Sequence, residues 1–253
     1  MKIVVCIKPV KSELVYPSES RVEEYLINPY DLYALQETVK IKQFMDCKII
    51  CLCMGPMGAV GMMQKALAMG ADQAIILNDN LFRGSDTVAT SYILAKAIKQ
   101  IGNVSLVTCG RRTIDGETGQ VVYGIGERLR YYCLPEAAEI LDASADALKV
   151  MQVTESENLV GQLNLPAIVA FHDFILTQPQ ISLLALKKAR KCEITIWAAA
   201  DLEVEEEKCG LEGSKTRVMQ IEKEICKKKK AYIDGKTEEK AEFIFNIIKG
   251  KHS

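Results

Sequence analysis

Short apolar runs alternate with helical patterns along the first half of this chain. Runs rich in β-branched residues lie at residues 2–7, 48–53, 74–77 and 105–109, and each leads through a polar, Gly- or Pro-bearing loop into apolar residues at helical spacing. A strand followed by a helix about every 20 to 30 residues is typical of a parallel sheet with right-handed crossovers. The sequence therefore predicts an α/β fold built on a parallel sheet, with a fifth strand at residues 137–141.

The pattern changes after residue 141. Residues 147–153 and 159–163 predict a β-hairpin, and residues 166–171 predict another buried strand. From Asp201 the chain is strongly charged, and it ends in a helical apolar stripe within residues 238–248. An arm this polar cannot form its own core, so we expect it to lie on the first domain or on another subunit. We divide the chain into a domain at residues 1–192 and an extended C-terminal arm at residues 193–253.

Composition excludes several classes of partner. Lys and Arg number 32 against 33 Asp and Glu, a net charge of -1, so no electrostatic attraction to nucleic acid is expected. No apolar run reaches membrane-spanning length, and we expect no membrane insertion. Nine cysteines without an N-terminal signal pattern indicate a reducing compartment and a cytoplasmic protein. Cys51 and Cys53 lack a second pair or a neighbouring His, so they are predicted to be core residues and no metal site is expected.

The most informative loop follows the strand at residues 105–109. Gly110 ends that strand, Asp115, Gly116 and Glu117 form the loop, and a helical pattern opens at residues 118–120. A helix start offers unpaired N–H groups, and glycine lets a phosphate approach the backbone closely. The loop has neither the Walker nor the GxGxxG pattern, and an ordinary capped turn is the alternative interpretation.

Other loops are expected to meet this one. Ligands of parallel sheets bind beyond the carboxyl ends of the strands, which places Cys6, the segment at Asn28, Met54 with Gly55, and Asp86 with Thr87 in one crevice. Thr87 and Thr90 lie three residues apart on a helix, so their hydroxyls are expected on one side.

Two features near the end of the first domain give weaker evidence of a functional site. His172 and Asp173 are adjacent in a predicted strand, and their side chains would point to opposite faces, so no catalytic residue is predicted there. Residues 181–186 are apolar and precede four basic residues. This segment is either a core helix with a solvated basic end or a surface anchor for a partner protein.

Taken together, these segments resemble the beta subunit of electron-transferring flavoproteins. The resemblance covers nearly the whole chain and rests on residues 4–8, 28–34, 54–56, 66–72, 84–91, 109–111, 114–121, 165–169 and 183–194. It implies a Rossmann-like nucleotide-binding domain and a heterodimer with an alpha subunit that holds FAD. It also implies electron transfer between NADH or acyl-CoA dehydrogenase-type partners and an acceptor. A small nucleotide-binding or ATP-hydrolysing stress protein on the same fold is disfavoured by the loop pattern and the long arm.

The same resemblance implies an adenine nucleotide in the crevice. It is AMP in the common type of this family and FAD in the electron-bifurcating type. The short loop at residues 115–120 and the residues from Asp86 to Thr90 are similar to the bifurcating type, so FAD is predicted, with AMP as the alternative. With AMP the chain would be a non-redox subunit that binds the nucleotide and docks dehydrogenases.

The implied site residues fall into groups. Asn28, Asp31, Met54 and Gly55 would line adenine and ribose, whereas Thr87, Thr90 and the amides of residues 118–120 would hold phosphates. Arg111 would stabilise a reduced, anionic flavin, and Leu183 would anchor a dehydrogenase. The full cofactor-binding set comprises Cys6, Asn28, Tyr30, Asp31, Met54, Gly55, Asp86, Thr87, Thr90, Gly110, Arg111, Asp115, Gly116, Glu117, Thr118, Gly119, Gln120 and Val121.

Three departures from the family pattern stand out. Val121, Val122 and Tyr123 replace the usual Val-Gly-Pro and alter one wall of the nucleotide site. Residues 11–28 form a shorter segment than in the family. The protruding recognition loop within residues 172–191 carries residues 177–180 as Thr-Gln-Pro-Gln in place of Asn-Glu-Pro-Arg, which removes both charges.

Overall fold

A nine-stranded sheet organises the first of two units in the computed structural model, which describes residues 1–16, 24–176, 179–217, 219 and 235–249. The first unit runs from Met1 to Arg217 and the second from Val218 to Ser253. Thr177 and Gln178 of the predicted recognition loop lie outside the described residues.

The described strands and helices follow the predicted alternation. The strands are β1 (Lys2–Ile7), β2 (Pro9–Lys11), β3 (Tyr25–Ile27), β4 (Lys48–Met54), β5 (Gln73–Leu77), β6 (Val104–Gly110), β7 (Tyr132–Ala143), β8 (Ala147–Val153), β9 (Asn158–Asn164), β10 (Ala167–Phe171) and β11 (Thr195–Trp197). The helices are α1 (Ser12–Val15), α2 (Pro29–Lys40), α3 (Val60–Ala68), α4 (Thr87–Ile101), α5 (Val121–Leu129), α6 (Leu183–Ala189), α7 (Gly210–Gly213) and α8 (Thr237–Ile248).

The strand order in the sheet is β11-β5-β4-β1-β6-β10-β7-β8-β9. All pairs from β11 to β7 are parallel, and β7, β8 and β9 pair antiparallel, so the parallel sheet and the added hairpin are confirmed. The strand predicted at residues 166–171 lies between β6 and β7 rather than after them. β2 and β3 form a separate antiparallel pair.

Two apolar layers cover the two faces of the sheet. Because side chains alternate along a strand, Ile3, Val5 and Ile7 of β1 pack towards α2 and α3, whereas Val4 and Cys6 pack towards α4 and α5. The CxC residues Cys51 and Cys53 are fully buried in the first layer, as predicted.

The strands that precede α4 and the strand that follows it lie on opposite sides of β1. β4 and β5 extend the sheet on one side of β1, and the chain then crosses through α4 to β6 on the other side. Such a reversal opens a crevice at the carboxyl ends of the two strands. The ends of β1 and β6 therefore define the edge on which the candidate site is built.

Two side chains at the start of α2 hold this edge together, and we call Asn28 and Asp31 the α2 brace. Asp31 accepts hydrogen bonds from the amide of Lys8 after β1 (2.9 Å) and from the amide of Gly110 at the end of β6 (2.8 Å). Asn28 donates to the carbonyl of Arg112 (3.0 Å). Burial raises the pKa of Asp31 to about 6, against the opposing effect of these hydrogen bonds.

The backbone of α2 lies so close to position 110 that only glycine fits there. A Cβ at this position would lie 2.3 Å from Cβ of Tyr30 and 2.8 Å from the amide nitrogen of Asp31. Backbone atoms of α2 cannot move aside without breaking the α2 brace.

The chain beyond residue 192 contributes to the sheet before it leaves the first unit. β11 pairs with β5, and the first unit ends at Arg217, later than the division expected at residue 192, because residues 195–197 add a strand to the sheet edge. In the second unit α8 confirms the predicted helix, and Ile244, Ile247 and Ile248 are exposed. None of the helices within the described residues is long and apolar enough to span a membrane.

We expect Gly110→Ala to destabilise the protein by about 1 to 3 kcal/mol or more, because the added methyl collides with α2. The matched control is Gly61→Ala in α3, where a Cβ meets nothing within 4 Å. The free energy of unfolding of Gly61→Ala should be higher than that of the wild type by about 0.5 to 1 kcal/mol, because alanine favours the helical conformation. Denaturant unfolding of both variants checks the comparison, and equal stabilities would contradict it.

The raised pKa of Asp31 makes its contribution to stability depend on pH. The folded-state value of about 6 lies above the reference value of 3.8, so this contribution is fully present below the reference value and is lost as the pH rises towards 6. Asp31→Asn should remove this dependence. It should also cost about 1 to 3 kcal/mol at low pH, where the contribution of Asp31 is fully present, and less as the pH rises towards 6.

Unfolding free energies at several pH values between about 4 and 7 test this prediction. The control is Asp46→Asn, which removes an exposed carboxylate. A wild type and an Asp31→Asn variant with parallel pH profiles would show that the buried carboxyl does not titrate in this range.

Candidate functional site

A cleft of about 270 Å³ lies beyond the carboxyl ends of β6 and β10 and beside Pro135 and Glu136 within β7. It is lined by Arg111, Arg112, Glu117, Thr118, Gly119, Gln120, Val122, Tyr123, Pro135, Glu136 and Ala170. Five of the predicted site residues, Arg111 and residues 117–120, therefore meet in one place.

The start of α5 is open towards a ligand. Gln120 precedes the helix without making a side-chain cap, and the N–H groups of a first helical turn have no helical acceptors. Gly119 has φ +63° and a Cβ there would lie 3.1 Å from the carbonyl oxygen of Arg111, so the backbone comes close to the end of β6. Free amides, the positive end of the helix dipole and a glycine are the features that bind phosphate.

The N–H groups at the start of α4 already donate hydrogen bonds to a side chain of the protein. Asp86 accepts hydrogen bonds from the amides of Val88 (2.9 Å) and Ala89 (3.1 Å) with one oxygen, and from the amides of Lys215 (2.6 Å) and Thr216 (2.9 Å) with the other. Burial opposes ionisation of Asp86, but these amides outweigh it and lower the pKa of its carboxyl. Asp86 thus caps α4 and fastens residues 215–216, so both its oxygens are already engaged.

Thr87 and Thr90 remain available at the same place. Both side chains are partly exposed, and their hydroxyls have no hydrogen-bond partner within the part of the chain that the structure describes. A Cβ at Gly124 of α5 would lie 2.5 Å from the hydroxyl oxygen of Ser91 in α4. Because Ser91 and Gly124 each lie about one turn into their helices, the starts of α4 and α5 are side by side.

The loop after β6 is fastened to β1. The ammonium of Lys8 lies 2.7 Å from Asp115, whose carboxylate also accepts from the amide of Gly116 (2.7 Å). Burial opposes ionisation of Asp115, but the contacts with Lys8 and Thr113 outweigh it and lower the pKa. Asp115 and Gly116 therefore shape the loop, and Lys8 joins the site through a contact that the sequence analysis did not predict.

The remaining predicted residues lie beneath or beside the cleft. Asn28 and Asp31 are buried in the α2 brace. Cys6 is buried in β1, where burial and the charge of Asp31 raise the pKa of its thiol to about 12. Gly55 follows β4, and its carbonyl accepts from the side chain of Asn78 (2.8 Å). β1 lies between β4 and β6, so Met54 and Gly55 are at the same edge but do not line the cleft.

Tyr30 connects α2 with the cleft. Its ring is buried, with the guanidinium carbons of Arg111 and Arg112 at 5.6 Å and 5.5 Å from the ring centroid. Its hydroxyl accepts from Arg112 (3.1 Å). Such cation–π contacts orient both guanidinium groups at the cleft.

An unpredicted charged cluster closes one end of the cleft, and we call Arg111, Glu136 and His172 the cleft triad. One oxygen of Glu136 lies 2.9 Å from Nη1 of Arg111 and 2.5 Å from Nδ1 of His172. Burial opposes ionisation of Glu136, but the hydrogen bond from His172 and the charge of Arg111 lower the pKa of its carboxyl. The three residues follow or interrupt three neighbouring strands, β6, β7 and β10.

A β-bulge places Glu136 in this cluster. Val169 and Phe171 of β10 pair with Leu134 and Ala137 of β7, so β7 contains one extra residue between them. Glu136 has φ +56°, a conformation that costs a non-glycine residue about 1 kcal/mol or more. Bulges often redirect a side chain beside a site, and Pro135 inside a strand is the sequence signal that marks this one.

His172 lies just after β10, and its partner is Glu136 rather than the adjacent Asp173. The sequence analysis placed His172 and Asp173 in a strand, but β10 ends at Phe171, so the argument from opposite strand faces does not apply to them. The sequence analysis also did not find Glu136, because 36 residues separate it from His172 in sequence.

The predicted docking residue is fully available to a partner. Leu183 and Leu184 open α6 and are 85% and 79% exposed, and Ala189 is the one buried residue of this helix. The exposed leucines favour the surface-anchor interpretation of this segment over the core helix. The role of Leu183 in docking stays a prediction.

The described cysteines are all free, and no group of three metal-ligating side chains occurs within the described residues. The uncapped start of α5, the guanidinium groups of Arg111 and Arg112 and the partly exposed Tyr123 make the cleft suited to an anionic organic ligand.

Comparisons with known proteins agree with this arrangement. Residues 20–202 match the electron transfer flavoprotein domain. Protein FixA of Azorhizobium caulinodans is 36% identical over 235 residues, which cover 87% of this chain and 84% of FixA. The electron transfer flavoprotein subunit beta of Clostridium acetobutylicum is 31% identical over 265 residues, with 100% and 99% of the two chains covered.

A third relative belongs to a named complex. The caffeyl-CoA reductase-Etf complex subunit CarD of Acetobacterium woodii is 33% identical over 229 residues, which cover 90% of this chain and 87% of CarD. The family match spans more than half of the chain, and the relatives match along most of their length. The chain therefore belongs to the electron transfer flavoprotein family, as a protein of the beta-subunit type.

Proposed function

We propose that this chain is the beta subunit of a heterodimeric electron-transferring flavoprotein and binds an adenine nucleotide, FAD by preference, at the cleft. The open start of α5 beside Arg111 is the observation that carries the proposal. It offers free amides and a guanidinium at one place, as a pyrophosphate or phosphate requires.

Each part of the edge has a place in this binding. The amides that follow Gly119 and the hydroxyls of Thr87 and Thr90 hold phosphates, because the two helix starts are adjacent. The α2 brace, Met54 and Gly55 shape the adenosine side of the edge. A bound FAD supplies the electron-accepting chemistry, and the chain supplies binding, orientation and charge.

The preference for FAD rests on the short loop at residues 115–120 and on the segment from Asp86 to Thr90, which are similar to the electron-bifurcating type. Residues 117–120 of this loop line the cleft together with Pro135 and Glu136. We also propose that the heterodimer carries out electron bifurcation. The similarity of this chain to a subunit of a caffeyl-CoA reductase-Etf complex supports this part of the proposal.

A non-redox subunit that binds AMP is the second candidate. Tyr123 stands where the family has a proline-bearing segment, and its ring is 45% exposed at the cleft. A bulky aromatic ring on this wall favours the smaller nucleotide.

Two surfaces suit the proposed partners. The exposed stripe of Ile244, Ile247 and Ile248 on α8 would be covered by the alpha subunit, as the sequence analysis expects for the C-terminal arm at residues 193–253. The exposed Leu183 and Leu184 would dock an acyl-CoA dehydrogenase-type partner through apolar contact.

Identification of the bound nucleotides tests the proposed function. The chain is co-expressed with its alpha partner, and the purified complex is denatured and analysed by chromatography and absorbance. Two FAD per heterodimer and no AMP are expected. One FAD with one AMP would establish the second candidate instead, and no nucleotide beyond the alpha subunit's FAD would overturn both.

Arg111→Ala tests the charge that the cleft presents to a bound flavin. A cation favours added negative charge, so its removal should lower the reduction potential of a flavin in this chain. Arg111→Lys is the control that keeps the charge and loses the planar fork. Spectroelectrochemical titration of the complex measures the potential, and an unchanged value in Arg111→Ala would contradict the role.

A further inference from the structure

The chain that follows β11 returns along α4 to the start of that helix, and we call residues 199–216 the C-terminal strap. In the middle of α4, the ammonium of Lys96 donates to the carbonyl of Glu203 (2.9 Å). One turn earlier, the hydroxyl of Tyr92 accepts from the amide of Glu205 (3.0 Å). The strap therefore runs antiparallel to α4 and ends at the helix start, which belongs to the proposed phosphate site.

Several hydrogen bonds fasten the strap at this helix start. The amide of Asp86 donates to the hydroxyl of Ser214 (2.8 Å), and the amide of Gly210 donates to the hydroxyl of Ser85 (3.2 Å). The amides of residues 215–216 donate to Oδ2 of Asp86 at 2.6 Å and 2.9 Å. Ser214 is buried, and its own hydroxyl donates to the carbonyl of Gly210 (2.6 Å). Asp86 is thus bound to the strap through both its backbone and its side chain.

The position of Asp86 determines the position of Thr87 and Thr90. The carbonyl of Asp86 accepts from the amide of Thr90 (2.9 Å), and its Oδ1 accepts from the amides of Val88 and Ala89. Helix ends fray when their terminal groups lack partners. A residue that is held by the strap on one side and holds the first turn of α4 on the other therefore keeps both threonine hydroxyls in place.

The strap also shields a negative charge beside the proposed phosphate site. A carboxylate directly before Thr87 would repel a phosphate, but the charge of Asp86 is spread over amides of α4 and of the strap. The other charged side chains on the elements that meet here are Arg83, Arg128, Glu212, Lys215 and Arg217, and those that line the neighbouring cleft are Arg111, Arg112, Glu117 and Glu136.

We infer that the C-terminal strap positions the phosphate end of the proposed nucleotide site, with Asp86 and Ser214 as the positioning residues. They fasten the strap to the start of α4, and the fastened strap holds the two threonine hydroxyls ready for a phosphate. None of the cleft-lining residues belongs to the strap, so its effect passes through the first turn of α4. The inference rests on the proposed function, in which Thr87 and Thr90 hold phosphates.

Asp86→Ser separates this positioning from simple electrostatics. Serine still accepts from the first amides of α4, but it lacks the second oxygen that holds residues 215–216. The substitution also removes a negative charge, which by itself would tighten the binding of an anion. The inference predicts the opposite sign. The affinity for AMP and for FAD should fall about tenfold, the equivalent of one charge-assisted hydrogen bond.

Titration calorimetry measures this effect on the heterodimer with the alpha subunit, after removal of the nucleotide from this chain. Glu212→Gln is the matched control, because it removes an exposed carboxylate from the same strap. It should bind both nucleotides at least as tightly as the wild type. Ser214→Ala removes the acceptor of the Asp86 amide and should weaken binding too, so it replaces Asp86→Ser if that variant does not fold.

Hydrogen exchange gives a readout that a merely structural role would not move. Since coupling is reciprocal, a phosphate held at the start of α4 should slow the exchange of the amides of residues 215–216 in the wild type. These amides donate to Asp86 and lie outside the cleft, so direct cover by the ligand does not account for slower exchange. The slowing should be absent in Asp86→Ser.

The outcomes are distinct for the two proposals. Nucleotide binding that is unchanged or tighter in Asp86→Ser would overturn the positioning role and leave the proposed function standing. Binding to the wild type without slower exchange at residues 215–216 would do the same. Failure of the wild type to bind either nucleotide would overturn both.

Discussion

The candidate site depends on one buried carboxylate. Asp31 accepts amides from the ends of both β1 and β6, the two strands between which the sheet changes its direction of growth. The crevice at such a reversal is formed by the loops that leave the two strands, and no strand pairing holds these loops at a fixed distance from each other. The first turn of α2 provides that fixed distance, and Gly110 allows α2 to come close enough to do so. The cleft residues after β6 therefore inherit their position from a residue that does not line the cleft.

The two helix starts at this edge differ in whether their N–H groups are free to bind a ligand. Both α4 and α5 follow a polar loop, and the sequence predicts a phosphate-binding role for each. Asp86 satisfies the first amides of α4 and also ties down residues 215–216, whereas α5 begins without a side-chain cap. In the proposed site, the phosphate contacts therefore come from the amides of α5 and from the hydroxyls of Thr87 and Thr90.

The sequence predicted local elements well and long-range pairings poorly. The strands and the loop at residues 115–120 follow from periodicity, glycine positions and apolar patterning, which are local properties. The insertion of β10 between β6 and β7 and the contact of Asp86 with residues 215–216 do not, because they join segments far apart in sequence. The sequence assigns Asn28 and Asp31 to the ligand site, whereas the structure shows them buried beneath the cleft, where any contact with a ligand stays a prediction. Glu136 was missed because its side chain reaches the cleft only through a bulge that periodicity does not describe.

The extra residue in β7 also determines which sequence changes this protein can accumulate. A substitution at position 136 alters the charge of the cleft and leaves every strand pairing in place. A deletion of Glu136 would remove the bulge itself and leave Phe171 of β10 opposite Ala137, so the strand would become regular without a change of register. Ala137 and Ile140 would stay buried, and β7 would keep its pairing with β8. The extra residue therefore adds a charged side chain to the cleft, and the pairing of the sheet does not depend on it.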